Sequence, residues 1–124
     1  MAACTTVTVI GTGGEPITRT NDEFRTYAET VFRLQNAVLD ELISATDLDP
    51  DLHPDDALRI AETRIVASCR HLNETASISA EGREPGWLLQ LRVLASIASC
   101  EASASAAKAL LERRADTAIV STYL

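Results

Sequence analysis

Apolar residues recur at helical spacing along three long stretches of the chain. In the first, Phe24, Tyr27, Ala28, Val31, Phe32, Leu34, Val38, Leu42 and Ile43 share one face, the pattern of a helix with one side in a core. Thr20 followed three places later by Glu23 is a capping-box pattern, and Asp22 and Glu23 put negative charge at the positive end of the helix dipole. The helix is therefore predicted to begin at Thr20 or Asn21. Arg25, Glu29 and Arg33 lie four apart on the wet side. The pattern runs to Ala45, a rise of roughly 36 Å.

Asp47 to Pro54 reads as a loop, because Pro50 and Pro54 interrupt helix. A second helix is predicted to start near Pro54, with Asp55 and Asp56 at its N-terminus. Its stripe is Leu58, Ala61, Ile65, Cys69 and Leu72, which Ile78 extends or ends. Ser79 to Gly86 carries Gly82, Pro85 and Gly86 and reads as a turn. The third helix starts near Pro85 or Trp87. Trp87, Leu88, Leu91, Leu94, Ile97 and Ala98 form its first stripe. Ser99 to Ala107 is almost all small residues, and Leu110 and Leu111 precede Arg113 and Arg114. This stretch is read as one helix; a break near residues 101–103 would make it two. The apolar tail from Ala118 to Leu124 either docks on the helices or ends the chain.

Residues 1–20 differ in kind. They are rich in Thr and Gly, and Glu15 is their one acidic residue. They read as an extended arm or tether, with a short strand at Thr6–Ile10. The expected fold is all-α: an antiparallel up-down-up three-helix bundle over residues 21–124, preceded by that arm. Four helices result if the third breaks.

With 124 residues the chain is one domain. Its aromatics are Phe24, Tyr27, Phe32, Trp87 and Tyr123, so the core must be built from Leu, Ile, Val and Ala. The net charge of −7 argues against nucleic-acid binding, which normally needs a basic face. No apolar run approaches the ~18 residues of a membrane span.

Candidate chemistry is sparse. Val7 to Gly14 is similar to the strand and first glycines of a dinucleotide-binding fold, but the third glycine's place holds Pro16 and no strand–helix alternation follows. Asp47, Asp49, Asp51, His53 and Asp55 alternate as in a calcium loop. Counted from Asp47, however, the required glycine is Leu52 and the bidentate Glu is Leu58. A solvated acidic loop, supplying charge to a helix N-terminus, is the better account. His53 and His71 are the only histidines, and neither sits among convergent ligands, so no metal and no cofactor are expected. No nucleophile motif such as Gly-x-Ser-x-Gly occurs, and catalysis is not expected. Trp87 has two readings: it caps the core at the start of the third helix, or it is an exposed anchor for a partner. Trp87 and the loop carboxylates Asp47, Asp49 and Asp51 are the candidate partner-binding residues.

The three cysteines are Cys4, Cys69 and Cys100. Cys69 and Cys100 fall on predicted helices joined by one turn, so a disulfide is geometrically possible in an oxidising compartment. The alternative is that both are unbonded and buried. Neither has Cys-x-x-Cys spacing. Ala2-Ala3-Cys4 resembles the end of a bacterial lipoprotein signal peptide, in which small residues precede the cysteine that receives the lipid. Such precursors usually carry Leu three places before the cysteine, where this chain has Met1; the charged and apolar regions of a signal are absent from the sequence.

The resemblance implies a periplasmic protein, lipid-anchored through Cys4, that binds or scaffolds another cell-envelope component and touches the membrane only through its lipid. The alternative is a cytosolic acidic adaptor, inhibitor or phage-type regulator that binds a basic protein surface. A small helical enzyme, or a ligand carrier with an apolar pocket between helices, is a third, lesser option. The oligomeric state is left open.

Overall fold

The computed structural model describes residues 6–123, with side chains through Thr117. The order is β1 (Thr6–Ile10), β2 (Pro16–Thr20), α1 (Asn21–Asp47), α2 (Ala57–Ser68), α3 (Arg70–Ala80) and α4 (Trp87–Tyr123). The chain is mostly helical but not all-α, because an antiparallel two-stranded sheet precedes the helices.

That sheet replaces the expected arm. Val7 and Val9 alternate with threonines, which suits a strand with one face on a core. Val9 faces Ile17 in the register and is 1% exposed, inside the main core cluster. The turn closes through Gly14, whose φ of 83° favours glycine, and through the Gly11 amide donating to the Glu15 carbonyl at 2.8 Å. A second strand after the glycines was not anticipated: Pro16-Ile17-Thr18-Arg19-Thr20 has little apolar signal of its own, and pairing with β1 supplies its order. Residues 1–5, including Cys4, lie outside the described residues.

α1 starts as the capping box requires. Thr20 Oγ1 accepts the Glu23 amide at 3.2 Å, and Glu23 Oε1 accepts the Thr20 amide at 2.9 Å. Its buried line is Val31, Gln35, Val38, Leu42 and Thr46. Ile43, expected inside, is 44% exposed.

The expected second helix is two. The ladder itself persists across the break, since Cys69 N–H donates to Ile65 O and Asn73 N–H to Cys69 O, each at 2.9 Å. Yet Cys69 has φ −96° and ψ 3°, outside helical values. Ser68 Oγ donates to Arg64 O at 2.7 Å, but Thr30, Thr63, Ser96 and Thr117 make the same back-bond in unbroken helices; what sets this position apart is the Cys69 sulfur, bonded across to α4. The stripe Leu58, Ile65, Cys69 and Leu72 still runs through the bend, buried throughout.

The third helix is unbroken at residues 101–103, so the fourth helix comes from the bend at Cys69 instead. The tail continues α4 to Tyr123; whether its side chains dock lies outside the described residues. The buried line of α4 is Leu89, Val93, Ile97, Cys100, Ala104 and Ala107, not the stripe that starts with Trp87, Leu88 and Leu91. Trp-Leu-Leu-Gln-Leu-Arg-Val-Leu is apolar at six of its eight positions, so periodicity alone leaves its phase open.

α4 touches α1, α2, α3 and β1. Near the start of α1, Phe24 and Ala28 share a cavity with Val93 and Leu94; near its end, Ala45 and Leu48 lie beside Leu111 and Ala115. These two helices therefore run the same way. Asp56 meets Arg114 while Cys69 meets Cys100, so α2 runs back against α4. One end of the molecule thus carries the starts of β1, α1 and α4. The other carries the Asp47–Asp56 loop, roughly 35 Å away along α4.

The Cys69–Cys100 disulfide spans 31 residues of sequence, with Cα atoms 4.7 Å apart and both residues 0% exposed. Closing a loop of that size in the unfolded chain is worth roughly 3–4 kcal/mol in the chain-entropy description. The Cys69→Ser/Cys100→Ser double variant is expected to lose about that much stability in denaturant titrations. Thiol counting on denatured, unreduced protein is expected to detect neither Cys69 nor Cys100.

Candidate partner-binding surfaces

Trp87 opens α4 and is 73% exposed. It does not cap the core, since Leu89, two places on, fills that role. On an α-helix, residues 87, 88 and 91 fall on the side opposite the Leu89–Val93–Ile97 line. Leu88 and Leu91 are accordingly 47% and 52% exposed. At the same end of α4, Phe24, Thr75, Pro85, Gln90 and Val93 line a cavity of about 340 Å³. The Thr75 hydroxyl there has no hydrogen-bond partner.

At the other end, Asp47, Asp49 and Asp51 are all exposed. Among the described residues no basic nitrogen comes within 4.0 Å of them. Leu48, between two of these carboxylates, is also in water. The loop is held from below rather than by its own acids. Arg59 Nε donates to Leu52 O at 3.1 Å, and His53 Nδ1 accepts the Asp55 amide at 3.0 Å. His53 is thus a turn-forming acceptor. Among the described residues no group of three or more His, Cys, Asp or Glu is placed to hold a metal.

Asp56 is the hinge of that end. Its Oδ1 caps α2 by accepting the Leu58 amide at 2.9 Å, and both carboxylate oxygens accept from Arg114 Nη2 at 2.8 and 2.9 Å. The Leu58 amide first, then Arg114, holds its carboxyl below the usual aspartate range.

Beside the disulfide on α4, α1 has its own tie. Tyr27 donates its phenol proton to Glu101 Oε1 at 3.0 Å, while the Arg19 guanidinium lies 4.3 Å from the Tyr27 ring centroid. Burial first, then the bond to Glu101, pushes the phenol up to about 12.

Between the helices one polar contact was not anticipated. Gln35, 0% exposed, donates Nε2 to Asn73 on α3, while its Oε1 has no partner. Its place in the apolar repeat of α1, between Val31 and Val38, was the available signal. A further groove of about 560 Å³ between α2 and α4 is floored by Ala61, Ala102, Ala106 and Ala107 and flanked by Arg64 and Arg113. The small residues of α4 open this space by leaving a gap where larger side chains would interlock.

No protein-family model, characterised protein or solved structure matches this chain. No described helix is long and apolar enough to cross a membrane.

Two measurements check this geometry. Asp56 has a lowered folded-state pKa, so its contribution is present above the unfolded aspartate range and is lost as pH falls through the folded value. Asp56→Ala is expected to lower the melting temperature at neutral pH by more than Asp56→Asn, which keeps a cap. The gap between wild type and Asp56→Ala is expected to shrink below pH ~4. Trp87→Ala is expected to change stability by less than about 0.5 kcal/mol, because the indole is mostly in water.

Proposed function

We propose that the protein is a non-enzymatic, lipid-anchored component of a bacterial cell envelope: an up-down-up helical bundle facing the periplasm that binds or scaffolds another envelope component. The observation that carries this reading is the buried Cys69–Cys100 bridge. Disulfides persist in oxidising compartments and are rare in reducing ones. The bridge also uses two of three cysteines, which leaves Cys4 as the odd one, in the sequence context that resembles a lipidation site.

The partner-facing surface in this reading is the acidic loop. Asp47, Asp49 and Asp51 are exposed carboxylates around an exposed Leu48. A basic protein surface with an apolar spot complements them, and opposite charge speeds encounter. The same loop favours the second reading, a cytosolic acidic adaptor or inhibitor, which needs no lipid and no disulfide.

Growing a bacterium that expresses the full reading frame with radiolabelled palmitate tests the anchor. Label is expected on the wild type and none on Cys4→Ser, with the variant moving from the membrane to the soluble fraction. Unlabelled wild-type protein overturns the anchor. Alkylating thiols in intact cells separates the two readings: protected Cys69 and Cys100 support the envelope, and alkylated ones support the cytosol.

A further inference from the structure

Trp87, Leu88 and Leu91 leave three large apolar side chains in water on one side of one helix end, and a contiguous apolar patch of this kind marks a surface that something covers. Its position points to the cover. Val7, in β1, shares a cavity with Pro85, Gln90 and Val93 at the start of α4. Thr6 is paired with Thr20, the residue that caps α1. Only Thr5 stands between Cys4 and this paired strand.

The tether expected from the Thr- and Gly-rich sequence is therefore not available as a spacer, because Thr6–Thr20 is folded into the hairpin. Two residues of extended chain span at most about 7 Å. A lipid on Cys4 holds the Trp87 end against the bilayer and gives the molecule no room to swing free.

We propose that the Trp87–Leu88–Leu91 face seats in the interfacial layer of a phospholipid bilayer, as a second membrane contact beside the lipid on Cys4. The proposal rests on the lipid-anchor reading. Its chemistry suits the three side chains: an indole is amphipathic and collects at headgroup depth, and leucines bury below it. A single acyl chain gives marginal, reversible membrane residence, and a second signal makes it stable. The charges flanking the patch in sequence balance, with Glu81 and Glu84 against Arg83 and Arg92, and Arg25 lines the cavity at the same end. The crowded aspartates lie at the far end, roughly 35 Å along α4. Anionic headgroups repel that end and favour the orientation that brings Trp87 down. The acidic loop then points away from the bilayer.

Trp87 is the only tryptophan, so the protein's indole emission reports on it alone. The full chain, coupled through the Cys4 sulfur to a maleimide-headed lipid in phosphatidylcholine vesicles, is expected to show blue-shifted emission. Acyl chains brominated near the headgroup are expected to quench it. The Leu88→Ser/Leu91→Ser double variant, coupled in the same way, is expected to lower the seated-to-unseated ratio by about tenfold. Emission that stays at the water-exposed position and unquenched on coupled vesicles overturns the proposal and leaves the patch as a protein-contact face. Equal quenching of wild type and double variant overturns it too, since coupling alone then explains the contact. The coupling is chemical and does not depend on cellular acylation, so failure here is distinct from the unlabelled Cys4 that sinks the anchor.

Discussion

The Cys69–Cys100 bridge is the constraint on which the rest of this architecture leans. α4 is long, but from Ser99 to Ala107 it offers mainly Ala and Ser to its neighbours. Such a surface buries little apolar area per residue, and hydrophobic stabilisation scales with that area. The groove between α2 and α4 is the visible result of that shortage. A covalent link at the level of Cys100, just where the small residues begin, holds the α2–α3 unit on α4 where packing alone is thin. It also fixes the height at which the two meet, and the Asp56–Arg114 ion pair forms in that same register.

The bend at Cys69 follows from the same link. A straight helix from residue 57 to residue 80 would carry α3 along the line of α2. The break re-aims α3 so that Asn73 reaches Gln35 on α1 and Thr75 lines the cavity beside Phe24. α2 is tied to α4 at mid-height by sulfur and at the loop end by Asp56 with Arg114, while Tyr27 with Glu101 ties α1 to α4 one residue along from Cys100. The two ends differ chemically. One exposes Trp87, Leu88 and Leu91; the other exposes Leu48 among aspartates.

Local signals in the chain foretold much of this. Thr20 and Glu23 marked the start of α1 because a capping box needs only neighbouring atoms. Pro50, Pro54, Gly82 and Gly86 bounded the connections because they act on their own backbone. The stripe Leu58–Ile65–Cys69–Leu72 was readable because Arg59, Glu62, Thr63, Arg64, Ser68, Arg70 and His71 lie between its members, although Ile60 and Val66 also interrupt them and end up exposed. The α4 stripe was not, because six of the eight positions of Trp87–Leu94 are apolar, and only the neighbours on α1, α3 and β1 choose among the faces.

What needed no partner to specify was therefore helix-forming stretches, their caps and breakers, the aliphatic character of the core, and the pool of three cysteines. Each depends on residues a turn or less apart. Which cysteines join, where the second helix bends, that the glycine-rich start folds back as a hairpin, and that Trp87 faces water all depend on contacts between residues far apart in the chain. Gln35 is the clearest case: in sequence it is a polar interruption of an apolar repeat, and only the approach of Asn73 on α3 explains its burial. Long-range geometry chooses among options that local periodicity leaves equal in energy.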